Sequence, residues 1–243
     1  MRLGAVTAII VGLIGLAASA VGLGIRIMPR HFTASQQQTI ISWEVVGRWR
    51  AWPAGEIFPA SITYHLPAAI LADGTGLALT ARRVGIAPAA SCAAVTDGAA
   101  ARALARHGCG TVLRATYADA TGAFIITVGV AVLPSARAAT AAAIALSGSG
   151  SLRPGIRAAM FPGTLAEWSG DRARQISLSI SVGPYLVMYA AGYADGRPRV
   201  ARTDGNQYGR TELLSAAKGI AGYVAGKIGA NPPPLRCPGA PGC

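Results

Sequence analysis

Ile176–Tyr193 reads ISLSISVGPYLVMYAAGY, and this stretch decides the fold class. Ile176, Leu178, Ile180 and Val182 alternate strictly with Ser177, Ser179 and Ser181. That period of two sends successive side chains to opposite faces and predicts a half-buried strand. Gly183-Pro184 turns the chain into a second strand, Tyr185–Tyr193, which Asp195-Gly196-Arg197-Pro198 ends. Upstream, Thr111–Tyr117 (TVLRATY) and Ala123–Leu133 (AFIITVGVAVL) are β-branched runs joined by Asp119-Ala120-Thr121-Gly122, a hairpin composition. Helical patterns separate the pairs. Thr96-Asp97 caps Gly98–His107, which stops at Gly108. Ser135, after Pro134, caps an alanine-rich helix ending at Leu146. Thr211 caps a helix with Leu213, Ala217, Ile220, Val224 and Ile228 on one face, Lys218 and Lys227 off it, and Gly229 at its end. The order strand, strand, helix, strand, strand, helix predicts an α+β fold, an antiparallel sheet with helices on one face. Ser147–Ser151 (SGSGS) reads as a flexible connector within one cooperative domain.

Outward from this core, the N-terminus changes character. Leu3–Ile25 carries no charge over 23 residues; as a helix it would extend about 34 Å, enough to cross a bilayer core of about 30 Å. Ala18-Ser19-Ala20 has the small-x-small form of a signal-peptidase site, but the apolar run continues past it, which favours an uncleaved transmembrane helix. The expected organisation is a membrane anchor over 1–30, a stalk and membrane-proximal segment over 31–56, an α+β domain over 57–230, and a proline-rich tail over 231–243. In the second of these, His31–Gln38 is a polar stalk. Trp43, Trp49 and Trp52 then interleave with Arg48 and Arg50, a pattern that fits an interfacial belt, a base-stacking strip or a first strand with core-facing aromatics.

The chain has 22 Lys plus Arg against 10 Asp plus Glu, a formal net charge of +12. All but Lys218 and Lys227 of the basic residues are arginines, dispersed with no basic run. A nucleic-acid surface would cluster them on one face, so no nucleic-acid partner is expected; anionic lipid or wall polymer accounts for the charge. The charges flanking the apolar run, Arg26 and Arg30 against Arg2, taken alone place the C-terminal part in the cytoplasm. The cysteines oppose this. Cys92 and Cys109 bracket one helix, and Cys237 and Cys243 bracket PGAPG, so each pair is placed for a local disulfide in an oxidising compartment. The cysteines outweigh a one-residue N-terminal flank, and the expected topology is single-pass, with the domain extracytoplasmic.

Catalytic signatures are scarce. There is no G-x-S-x-G elbow, and Ser149 sits in the SGSGS connector. Cys92, His107 and Cys109 do not have the spacing of a zinc knuckle, and His107 reads as a helix C-terminal cap. Gly74-Thr75-Gly76 has Leu79 where a dinucleotide fingerprint needs glycine, so it reads as a turn. Glu56, Asp119, Glu167 and Asp195 fall in turns. No catalytic residue, cofactor or metal site is therefore expected. A possible ligand groove remains: Tyr185, Tyr189 and Tyr193 recur on one strand face, with His65 in an extended segment beside Pro67, although a core or sheet-surface aromatic ladder is the favoured reading of the tyrosines.

The blocks Leu113–Tyr117 (LRATY), Ala191–Arg199 (AGYADGRPR) and Cys237–Cys243 (CPGAPGC), behind an N-terminal anchor, resemble a group of uncharacterised single-pass membrane proteins of high-GC actinobacteria. The resemblance implies a location in the cytoplasmic membrane and lends no activity. The expected function is a membrane-anchored extracytoplasmic binding, sensing or scaffold module, with an envelope protein or anionic wall polymer as partner. A cell-envelope hydrolase with a dispersed active site is the alternative.

Overall fold

The structure is a computed structural model that describes residues 30–31, 33–67, 76–147, 153–199, 207–231 and 236–237. The expected anchor Leu3–Ile25, the glycine linker after Ser147, the Gly74-Thr75 turn and the Cys237–Cys243 pairing lie outside those residues in whole or in part. No helix among the described residues is long and apolar enough to cross a membrane. The chain divides into two compact units, residues 1–44 with 231–243, and residues 45–230.

In the first unit, β1 (Arg30–His31) pairs antiparallel with β8 (Arg236–Cys237). Helix α1 (Ala34–Ala51) starts here, and the second unit begins within it, at Val45. From Ala34 to Ala51 the expected stalk and the belt, strip or strand that follows it form one helix, with Trp52 just beyond its end. Thr33 and Gln36 start it as a reciprocal capping box: the Thr33 backbone N–H donates to Gln36 Oε1 at 3.0 Å and the Gln36 N–H to Thr33 Oγ1 at 3.3 Å. That T-x-x-Q signal is present in the sequence, and the three tryptophans obscure it.

The second unit continues with α2 (Ala54–Ile57), β2 (Ser61–Leu66), β3 (Leu77–Ala90), α3 (Cys92–Val95), α4 (Gly98–Arg106), β4 (Thr111–Ala118), β5 (Phe124–Val132), α5 (Ala136–Ala145), β6 (Arg174–Val182), β7 (Tyr185–Tyr193) and α6 (Gln207–Gly229). The six strands form an antiparallel sheet in the order β2-β3-β4-β5-β7-β6. Both central hairpins form as expected, Ala118 opposite Ile125 in one and Val182 opposite Tyr185 in the other. Asp119 shapes the first turn by accepting from the backbone N–H groups of Thr121 and Phe124. Asp97 and Ser135 cap α4 and α5, each accepting from the N–H three residues on.

Helices lie on both faces of the sheet, which corrects the one-face expectation. Leu186, Met188 and Ala190 of β7 join the core of α3, α4 and α5 around Leu104, Ala139 and Ala142. The alternate residues Tyr185, Val187 and Tyr189 face the other way, the side where α6 packs on β2 and β7. The two runs that lack alternation, β5 and β7, are central strands buried on both faces. Two local expectations also change. Helix α6 begins at Gln207, so Thr211 lies within its first turns and does not cap it. The alternation of β6 fails at Ser177, which is fully buried: Gly155 passes so close that an added Cβ would sit 2.5 Å from its hydroxyl.

Cys92 and Cys109 are joined in a disulfide, with Cα atoms 6.3 Å apart, and clamp the α3–α4 segment onto the start of β4. Closing a loop of this length in the unfolded chain is worth about 3 kcal/mol by chain entropy. A Cys92→Ser/Cys109→Ser variant is expected to melt roughly 6–12 °C lower in calorimetry. An unchanged melting temperature would show that the loop is already restrained without the bond.

Candidate functional site

The tyrosines do share one face of β7, and that face is packed. Tyr185 and Tyr189 are 0% and 2% exposed, and the Tyr185 hydroxyl donates to the Val45 carbonyl. Tyr193, at the strand end, is half-buried, its ring 5.8 Å from that of Phe124 and under the guanidinium of Arg197. His65 is exposed on edge strand β2, with three strands between it and β7. The four residues are therefore not brought together around one opening. Burial pushes the phenols of Tyr64 and Tyr189 up to about 12 and raises those of Tyr117 and Tyr185. An unfolded phenol titrates near 10, so this contribution to stability is complete below pH 10 and is lost as pH rises through about 12. Circular dichroism is expected to show alkaline unfolding inside that window, coincident with tyrosinate absorbance. Retention of the fold with all tyrosines ionised would contradict it.

Of the carboxylates weighed for catalysis, Asp119 is spent on its turn, and Asp195 forms an ion pair with Arg197 at 2.5 Å. Glu56 lies exposed in α2. The disulfide occupies both cysteines of the weighed Cys92, His107, Cys109 set, and His107 is the C-cap of α4. A small cavity between β5, β7 and the loop before β6, lined by Thr127, Ser169, Arg174 and Gly192 among others, has room for about one water molecule.

The feature that stands out lies in that loop, between α5 and β6, which no sequence motif marked. Its first part is bound down. The Asp97 carboxylate, besides capping α4, accepts from the Gly155 N–H at 2.8 Å and faces Arg174 at 3.5 Å; Arg174 also donates to the Ile156 carbonyl at 2.9 Å. Next, Thr116 Oγ1 donates to the Ala159 carbonyl at 2.8 Å, and the Ala159 N–H donates to Thr127 Oγ1 at 3.0 Å. The two hydroxyls are 2.9 Å apart, so Thr127 is left to donate to Thr116 and the set closes on itself. Each hydroxyl and peptide group of this network has a protein partner, which holds the loop flat on the sheet.

Residues 160–170 then form a tip at the end of the sheet that carries the turns around Gly122 and Gly196. Thr164 accepts from the Ala166 N–H and donates to the Phe161 carbonyl, and Ser169 donates to the Ala166 carbonyl. Ala166 and Phe161 point inward, packing with Ala118, Ile125, Val84 and Ala194. Phe161 lies over Gly85 so closely that an added Cβ there would come within 2.4 Å of the ring. Gly196, at φ +70°, allows Trp168 the same kind of approach: an added Cβ there would lie 2.7 Å from the Trp168 Cβ. Outward from this fixed frame stand Met160, Leu165 and Trp168, 56%, 57% and 66% exposed. Three large apolar side chains exposed to water on a loop fixed by these bonds and contacts are not a folding requirement, and such patches mark contact surfaces.

Fold and surface together define an α+β domain, a six-stranded antiparallel sheet between helices, with an ordered apolar tip at one end. No protein-family model, curated protein or solved structure matches the chain.

Proposed function

We propose that the protein is a membrane-anchored extracytoplasmic binding module, acting as sensor or scaffold, and that its contact surface is the tip formed by Met160, Leu165 and Trp168. The exposure of these side chains on an ordered loop is the observation that carries the reading. The uncharged run Leu3–Ile25 supports the anchor. The Cys92–Cys109 disulfide supports an oxidising compartment.

A photo-crosslinking residue placed at Leu165 is expected to give an adduct in intact cells, and one placed at exposed Ser181, on the β6–β7 hairpin, is expected to give none. Absence of labelling at 165, or equal labelling at both, would refute the contact surface. In the same cells, a reporter enzyme that is active only outside the membrane, fused after Cys243, is expected to be active. Activity of a cytoplasmic reporter alone would reverse the topology.

A further inference from the structure

Resting on the reading of residues 160–170 as a docking surface, we infer that its partner is an anionic lipid bilayer, into whose headgroup boundary Trp168, Leu165 and Met160 insert. Three features select that partner. The exposed groups are an indole, an isobutyl chain and a thioether, which together offer a single hydrogen-bond donor, the indole N–H. A sugar or acidic polymer would need convergent polar partners, whereas the boundary between headgroups and acyl chains takes apolar bodies and favours tryptophan.

The second feature is the charge around the tip. Arg157 and Arg197 are neutralised by Asp171 and Asp195. Arg172 and Arg199 are exposed and linked through the Arg199 N–H and the Arg172 carbonyl at 3.2 Å. Arg82, also exposed, is the register partner of Ala118 and so lies on the sheet face against which Ala166 packs. None of these three is within ion-pair distance of a carboxylate among the described residues, and Glu167 is the one acid of the tip itself. An apolar tip with an arginine rim complements anionic headgroups. A second copy of the chain is disfavoured as occupant, because each carries a net charge of +12.

The third feature is order. The Thr164 and Ser169 turns already hold the three side chains outward, so docking does not have to order the loop.

The test uses the full chain reconstituted with vesicles of phosphatidylcholine, with or without phosphatidylglycerol, carrying brominated acyl chains. The quenching lost in a Trp168→Phe variant isolates Trp168 from Trp43, Trp49, Trp52 and any membrane segment. Trp168-dependent quenching is expected in the anionic vesicles. It should fall at least about fivefold without phosphatidylglycerol, or in Arg172→Glu/Arg199→Glu protein whose circular dichroism is unchanged. No Trp168-dependent quenching overturns the inference. If Trp168 emission responds to soluble polyphosphate and not to bilayers, lipid is overturned as the partner while the docking surface stands. Silence toward both, together with no adduct from position 165, removes the docking reading as well.

Discussion

Asp97→Ala is expected to destabilise the domain by about 3–4 kcal/mol, a drop of roughly 10 °C in melting temperature. One carboxylate does three things here. Oδ1 caps α4 through the Ala100 N–H, while Oδ2 accepts from the Gly155 N–H and faces Arg174, whose side chain is only 14% exposed. Loss of the cap alone costs about 1 kcal/mol. Stranding a mostly buried guanidinium and releasing the start of the loop supply the rest. Asp97→Asn separates these contributions: the amide oxygen keeps the cap, but an amide nitrogen toward Gly155 and Arg174 sets donor against donor, so most of the loss should remain. Thermal melts of both variants decide the matter. A fall limited to about 1 kcal/mol in the alanine variant would mean that Thr116 and Thr127 hold the loop without Asp97. Because the tip hangs from this latch, the alanine variant should also reduce the adduct from position 165 more than its melting temperature predicts.

Arg48→Ala is expected to cost about 3 kcal/mol, again read as melting temperature. Arg48 is 3% exposed although it lies on a helix rich in polar residues. Its guanidinium stacks on Trp52, 4.7 Å from the ring centroid, and donates to the carbonyls of Lys227, Ile228 and Ala230 at the end of α6. The last carbonyls of a helix have no partner within it, and they form the negative end of its dipole, so a buried cation there satisfies both at once. Each charge-assisted bond contributes about 1.5–3 kcal/mol, and they are not additive. Arg48→Lys should recover part of the loss, since Nη1 alone makes the three carbonyl contacts and an ammonium can reach the same carbonyls, but it cannot stack flat on the indole. Equal losses in the two variants would show that planar stacking matters more than charge.

The same residues show how far the sequence reaches. Where the deciding interaction spans a few residues, it is legible. The caps at Asp97 and Ser135, the Asp119–Gly122 turn, the Gly183-Pro184 hairpin, the apolar face of α6 and the Cys92–Cys109 bridge all depend on groups close along the chain, and the structure has them. The Thr33–Gln36 capping box is an interaction of the same local class. What tertiary structure alone decided lies at longer range. The unbroken apolar runs of β5 and β7 carry no alternation because both faces are covered, which is the sequence form of a central strand and the reason helices flank both sides. Insertion of β7 between β5 and β6, the bond from Arg48 to a helix end 180 residues away, and the burial of Tyr185 and Tyr189 follow from that packing. So does the surface at residues 160–170: with no period and no motif, its side chains become a patch only because Phe161 and Ala166 seat on Gly85 and Ile125 and leave Met160, Leu165 and Trp168 facing water.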